Sequence, residues 1–221
     1  MARIDFLQDM HSKTKRDYVG RVTQHDKTEC AVVAKQFGAE YWDGPRQFGY
    51  GGYRYDGRWR PLAERLAAHY DLKAGERILD VGCGKGFLLH ELSQVVPGLV
   101  VEGLDISAYA LANAKPEIQE KLHLGTADAL PFADKSYDAV VSLGTLHNLP
   151  VERALKAFAE IARVSREARN YVMVESFRNE REKTNLMYWQ LTCESLLSIA
   201  SWEWIMGQAG YRGDHGFIFF E

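Results

Sequence analysis

The stretch from Arg77 to Val95 constrains this chain more than any other. After Arg77, Ile78-Leu79-Asp80-Val81 forms a short, mostly apolar run, and Gly82, Gly84 and Gly86 then stand at alternate positions. Beyond them Phe87, Leu88, Leu89, Leu92 and Val95 recur at helical spacing. A buried strand, a glycine turn and a helix, in that order, build the ligand crevice of an open α/β sheet at the carboxyl ends of its strands. Glycine is required in such a turn because a side chain would hold the backbone off a ligand or could not adopt the necessary φ.

Two details narrow the ligand. The spacing is G-x-G-x-G, whereas the dinucleotide fingerprint is G-x-G-x-x-G with a pyrophosphate on the helix N-terminus. Asp80 also stands two residues before the first glycine; its negative charge suits a ligand with a cationic group and repels a pyrophosphate. The combination resembles motif I of the class I S-adenosylmethionine-dependent methyltransferases. A second acidic residue, Asp105, ends the strand predicted from Val100, nineteen positions after Gly86. An acidic residue there accepts hydrogen bonds from a ribose diol. A third strand and its exit loop, Leu122 to Phe132, contain Asp128-Ala129. By the resemblance, Asp128 accepts from the adenine amino group, as a carboxylate suits an amino donor, and apolar neighbours sandwich the ring. The implied cofactor is S-adenosyl-L-methionine. The implied binding set is Asp80, Gly82, Cys83, Gly84, Gly86, Asp105, Ile106, Asp128, Ala129 and Leu143.

With 221 residues and 46% hydrophobic content, the chain can bury one sizeable core. A net charge of −3 offers no basic field for a phosphate backbone, so nucleic acid is a poor partner and a small-molecule substrate is expected. There is no apolar run near 18 residues, hence no membrane span, and Met1-Ala2-Arg3-Ile4-Asp5 lacks a signal-peptide core. Cys30, Cys83 and Cys193 are widely spaced and form no metal-type pair, so no metal is expected. A reducing cytoplasmic home follows. A homodimer is left open.

Residues 1 to about 45 are polar with helical pieces: Ser12-Lys13-Thr14-Lys15-Arg16 carries charge, and Lys27 to Phe37 is weakly amphipathic. In the family such helices commonly close over the cofactor. Tyr41 to Arg60 mixes glycines, aromatics and arginines with neither a strand nor a helix period. It reads as a loop, and so many rings need something to pack on, so we expect a lid over the site. Its arginines can grip a carboxylate or phosphate; Arg54, Arg58 and Arg60 hint at an anionic acceptor. Pro61 to Tyr70 reads as a helix with proline in its first turn.

Ser136 to Leu143 is the expected fourth, central strand, and Gly144 to Pro150 the loop beside the transferable methyl group. The helix from Val151 to Val164 shows Val151, Leu155, Phe158, Ala159 and Ala162 on one face. Tyr171 to Glu175 is the fifth strand, an insertion near 176–200 is expected to build the substrate pocket, and a helix runs from about Ser201 to Ala209. Gly210 to Gly213 and Phe217 to Phe220 read as two final strands joined through Asp214-His215-Gly216. The fold class is therefore α/β: a doubly wound, mostly parallel seven-stranded sheet with one antiparallel strand, the Rossmann-like methyltransferase fold. Residues 1–60 are its cap and lid, and 61–221 the cofactor-binding domain.

The chemistry implied is displacement at carbon, with an oxygen or nitrogen lone pair attacking a sulfonium methyl. A hydroxyl acceptor needs a base. His147, in the loop after the central strand, is the first candidate because it titrates near neutral pH, with Glu175 and Tyr53 behind it. Alternatives are a protein or RNA methyltransferase, a non-catalytic cofactor-binding partner, and a nicotinamide dehydrogenase. Glycine spacing and Asp80 weigh against the last.

Overall fold

Six strands form one all-parallel sheet in the computed structural model, which describes residues 1–7 and 16–221. The charged Ser12–Lys15 stretch lies outside the described residues. Short helices come first. Asp17 caps α1 (Tyr18–Thr23) by accepting from the Gly20 N–H, and Asp26 caps α2 (Lys27–Ala34) by accepting from Thr28 and Glu29. A further turn, α3 (Ala39–Trp42), leads into the aromatic loop. Helix α4 (Arg60–His69) carries Pro61 in its first turn, where the missing N–H costs nothing.

The sheet then alternates with helices: β1 (Arg77–Val81), α5 (Phe87–Val95), β2 (Val100–Asp105), α6 (Ala108–Ala112), α7 (Pro116–Gln119), β3 (Leu122–Leu124) and β4 (Ala139–Leu143). A 3₁₀ turn over Leu146–Asn148 precedes α8 (Val151–Val164) and β5 (Asn170–Glu175). Helices α9 (Glu180–Trp189) and α10 (Ile199–Gln208) lead to β6 (Asp214–Ile218). The strand order is β3-β2-β1-β4-β5-β6. The winding reverses between β1 and β4, where the loops after the two strands diverge and leave a crevice.

Both faces of the sheet are covered, as parallel strands demand. Alternate residues of β1 serve opposite cores: Ile78 packs with Leu62, Leu66, Leu89 and Leu92 of α4 and α5, whereas Leu79 and Val81 pack with Phe158 and Ile161 of α8 and Trp202 of α10. The buried stripe of α8 is Ala154, Ala157, Phe158, Ile161 and Val164. This corrects the face expected from sequence, since Val151 is exposed and Leu155 only partly covered. The alanines let the helix approach the sheet closely, so small residues define the contact as much as large ones.

The expected seventh, antiparallel strand does not form among the described residues. Where two strands were read there is one, β6, parallel to β5 with His215 opposite Val172 and Gly216 opposite Met173. By its sequence Gly216 reads as part of a turn. A Cβ on it would lie 2.1 Å from the Tyr171 hydroxyl, so the glycine records a close approach within a strand. Residues 2–4 extend the outer edge of β6: the Ile4 N–H donates to His215 O (2.8 Å) and the His215 N–H to Ala2 O (3.0 Å). No helix among the described residues is long and apolar enough to cross a membrane.

Candidate active site

The glycine turn adopts the conformation its sequence demands. Gly82, Gly84 and Gly86 all have positive φ. At Gly82 a Cβ would lie 2.0 Å from Thr145 Oγ1, and at Gly84 it would meet the Trp42 ring at 2.7 Å. The turn is thus pressed between the loop after β4 and the aromatic loop. Gly86 lines neither lobe of the crevice; a Cβ there would strike Ile118 at 2.4 Å, so that glycine serves packing.

Two adjoining lobes open over the carboxyl ends of the strands. The larger, about 540 Å³, is lined by Asp80, Gly82, Cys83, Gly84, Leu143, His147 and Glu175, with Tyr53 and other residues of the aromatic loop opposite. The smaller, about 430 Å³, is lined by Asp105, Ile106, Gly125, Thr126, Ala127, Leu143 and Arg153. Tyr41, Trp42, Tyr50, Gly82 and Leu143 line both. Trp42 forms the partition: it stacks on Tyr50 with ring centroids 5.2 Å apart, and its indole N–H donates to Ser107 Oγ (2.9 Å). Tyr53 stacks on Phe87 at the start of α5. The loop is held down by Lys85 of the glycine turn, whose Nζ reaches both Asp43 oxygens (2.7 and 2.8 Å) and donates to Tyr53 O (2.9 Å).

Of the three acidic strand-tip residues, two face this crevice. Asp80 is only 4% exposed, and its Oδ1 has no hydrogen-bond partner. Burial, then the nearby charge of Asp105, push its pKa up to about 8. A buried, unpartnered carboxyl at a cavity wall is a site for a cationic ligand. Asp105 accepts from the Gly84 N–H (2.7 Å) and the Ser107 N–H (2.8 Å), which aim its carboxylate across the smaller lobe's floor. Burial raises its pKa against the lowering effect of these bonds. Asp128 stands apart. It lines neither lobe and forms a two-pronged pair with Arg153 (2.7 and 2.8 Å), whose hydrogen bonds hold its pKa down to about 2. Ala129 is exposed and lines neither lobe.

His147 and Glu175 meet at the far wall. The Glu175 N–H donates to His147 Nδ1 (3.3 Å), so the ring's proton sits on Nε2, which lies 3.3 Å from Glu175 Oε2. That oxygen has no aligned hydrogen bond, while Gln190 donates to the other. Burial drives the imidazole down to about 3 and the carboxyl up to about 8. The pair therefore joins a neutral imidazole to a carboxyl that exchanges its proton near neutral pH. The loop after α9 steadies it, since the N–H groups of Glu194 and Ser195 donate to His147 O (both 3.0 Å).

The arginines are distributed differently from the reading of the sequence. Arg58 is paired with Asp56, and Arg60, which lines neither lobe, with Glu64 and Glu91; only Arg54 and Arg58 reach the large lobe. Arg16, Arg21 and Arg46 line it too, as does Trp189. Arg21 and Trp189 carried no motif signal, because tertiary folding alone brings residues this far apart in the chain together. The Cys83 thiol packs in the core and is pushed well up by burial, so its contribution to the crevice is main chain.

These features define a class: a doubly wound α/β protein whose crevice sits at the switch point of a parallel sheet and is lined by buried carboxyl groups. Residues 78–168 match the family model for a methyltransferase domain. The chain is 31% identical to the demethylmenaquinone methyltransferase of a Roseiflexus species over 137 residues, 61% of this chain and 56% of that one. It is 34% identical to the 27-O-demethylrifamycin SV methyltransferase of Amycolatopsis mediterranei over 96 residues, 40% of this chain and 35% of that one. The chain thus spans well under two thirds of the curated relatives it matches. The fold is shared with the geranyl diphosphate C-methyltransferase of Streptomyces coelicolor (TM-score 0.57, 14% identity, covering 72% of this chain and 67% of that one), whose structure holds S-adenosyl-L-homocysteine. Residues 78–168 thus carry the methyltransferase-domain signature, and the fold is the Rossmann-like one of that family's solved structures.

Proposed function

We propose that the protein transfers the methyl group of S-adenosylmethionine to an oxygen or nitrogen of a small-molecule acceptor, with residues 1–60 acting as cap and lid over the transfer domain of residues 61–221. The observation that carries this reading is the buried, unpartnered Asp80 carboxyl beside the glycine turn, in the same lobe as the His147–Glu175 pair. Asp80 and the glycine turn would hold the charged methionyl end, Asp105 the ribose, and Ile106, Ala127 and Leu143 the adenine. A role for Asp128 at the adenine would require release of its Arg153 pair, so we assign it to holding the loop.

When bound, the cofactor supplies an electrophilic methyl group on sulfur. The chain's own part is alignment, exclusion of water and handling of the acceptor's proton. Alignment can supply up to about 7–11 kcal/mol of barrier lowering, and the Trp42, Tyr50 and Tyr53 rings keep the centre dry. The geometry favours Glu175 over His147 as base. Both imidazole nitrogens are directed at Glu175, one accepting from its N–H and the other facing its carboxyl, so His147 orients and Glu175 receives the proton. Its pKa of about 8 is matched to work near neutral pH.

Calorimetric titration with S-adenosyl-L-homocysteine tests the reading. We expect saturable binding that Asp105→Ala weakens by about 1.5–3 kcal/mol, the scale of hydrogen bonds to a charged group. Binding of NADH with none of S-adenosyl-L-homocysteine would overturn it. Binding without methylation of any acceptor would reduce the chain to a cofactor-binding partner.

A further inference from the structure

The large lobe carries a second group of charges that neither cofactor binding nor proton transfer employs. The guanidinium carbons of Arg16, Arg21 and Arg46 lie 5.7, 5.3 and 5.5 Å from the centroid of one ring, that of Trp189. Arg21 donates to main-chain oxygens only, Nε to Trp189 O (3.3 Å) and Nη1 to Arg46 O (2.9 Å). Arg46 likewise donates from Nη1 to Gly49 O (3.0 Å) and Tyr50 O (2.8 Å). Arg16 Nε is buried with no partner. Among the described residues, none of the three has a carboxylate within ion-pair distance.

Several arginines elsewhere in the chain are paired with acids: Arg77 with Glu102, Arg163 with Glu160, Arg169 with Glu76 and Arg178 with Glu182. Around Trp189 it does the opposite and pins cations together by main-chain carbonyls. Burial and mutual repulsion lower the proton affinity of Arg21 and Arg46, the expected signature of cations held without a counter-charge. A guanidinium fork matches the two oxygens of a carboxylate or phosphate. The next residue after Trp189 is Gln190, which donates to Glu175. One end of α9 thus touches both the arginine cluster and the proposed base.

Resting on the methyl-transfer reading above, we propose that Arg16, Arg21 and Arg46 over Trp189 form an anion subsite, so that the methyl acceptor is a compact molecule carrying a carboxylate or phosphate monoester close to its nucleophilic atom. A lobe of about 540 Å³ is of the size that holds such a molecule.

The test uses the full chain saturated with S-adenosyl-L-homocysteine and titrated with inorganic phosphate or with malonate at constant ionic strength, followed by tryptophan fluorescence. We expect saturable binding of at least one probe, and the preferred probe tells phosphate from carboxylate. Arg21→Gln and Arg46→Gln should each weaken it by about tenfold or more, the loss of a charge-assisted hydrogen bond. Affinity for S-adenosyl-L-homocysteine should stay within about twofold, since both arginines are bonded to the main chain of Trp189, Arg46, Gly49 and Tyr50 and neither to Asp80, Asp105 or the glycine turn. If Arg46→Gln loses its fold by circular dichroism, Arg21→Gln and Arg46→Lys carry the test. No saturable binding of either probe, or equal affinity in the variants, would overturn the subsite. Tight binding of a short single-stranded oligonucleotide with no effect of phosphate or malonate would overturn it in favour of an RNA acceptor. Should S-adenosyl-L-homocysteine itself not bind, the methyl-transfer reading falls, and titrating the ligand-free chain still decides whether the anion site exists.

Discussion

At the scale of single residues, the crevice depends on carboxyl groups placed where water cannot reach them. Asp80 has a pKa near 8 without a ligand, so at pH 7 it is largely protonated. A cationic ligand would lower that value, and its binding should release a proton. Calorimetry of S-adenosylmethionine in buffers of different ionisation enthalpy checks this: a release that vanishes in Asp80→Asn is expected, with affinity reduced by about 1.5–3 kcal/mol. For the far wall we expect Glu175→Gln to lower kcat by about 10²–10⁴-fold on a hydroxyl acceptor, with cofactor affinity little changed. His147→Ala should cut turnover far more than cofactor affinity, and should also shift the pH at which activity rises, because it removes the group that orients the carboxyl. Activity should increase with pH through the apparent pKa of the pair, the acid being inactive as a base. The identities of Asp80 and Asp105 were legible in the sequence because their position relative to the glycines is a local property. The partner of Asp128 was not, because Arg153 lies on α8 and reaches it only in the folded sheet.

At the scale of elements, the informative unit is strand, turn and helix. Gly82 sits at a φ that side chains resist and within 2.0 Å of where Thr145 would meet a Cβ. Gly82→Ala should therefore cost about 2–5 kcal/mol, combining left-handed strain with overpacking, read as a lower denaturant midpoint and a loss of cofactor binding. Strand β1 and helix α5 matched their sequence pattern because apolar runs buried on both sides, and apolar residues at helical spacing, specify their own elements. Helix α8 matched in extent but not in buried face, since Ala154 and Ala157 give a hydropathy pattern too weak to outvote Val151 and Leu155. The β6 region misled for a related reason. Glycines at 210, 213 and 216 look like turn punctuation, yet only Gly210, at φ +70 after α10, turns the chain in the left-handed region. Gly213 and Gly216 are small because Asn170 and Tyr171 crowd them.

At the scale of the whole molecule, the buried groups make stability depend on pH in a definite direction. Asp80 and Glu175 both rise to about 8, from 3.8 and 4.5, so the folded chain holds more protons than the unfolded one across that range and loses stability as pH rises through it. His147, lowered from 6.5 to about 3, acts oppositely but only below 6.5. Above pH 6.5 the raised acids, with Asp105 acting in the same direction, set the slope, so Tm of the ligand-free chain should fall between pH 6.5 and about 8. Asp80→Asn should flatten the fall, and so should saturating S-adenosylmethionine; differential scanning calorimetry checks both. A second molecular-scale coupling comes from Lys85 of the glycine turn, which is bonded to Asp43 and Tyr53 and so joins the aromatic loop to that turn.

By itself the chain's sequence determined the α/β class, the crevice at the first strand and the acidic residues Asp80 and Asp105 that line it, because each is encoded by spacing within a few dozen residues. Tertiary structure decided what spacing cannot express. It set the count and direction of the last strands, the withdrawal of Asp128 into an ion pair, the meeting of His147 with Glu175, and the gathering of Arg16, Arg21 and Arg46 around Trp189. Those outcomes turn on which distant groups meet in a low-dielectric interior, where one neighbour can reverse a group's charge or claim its hydrogen bonds.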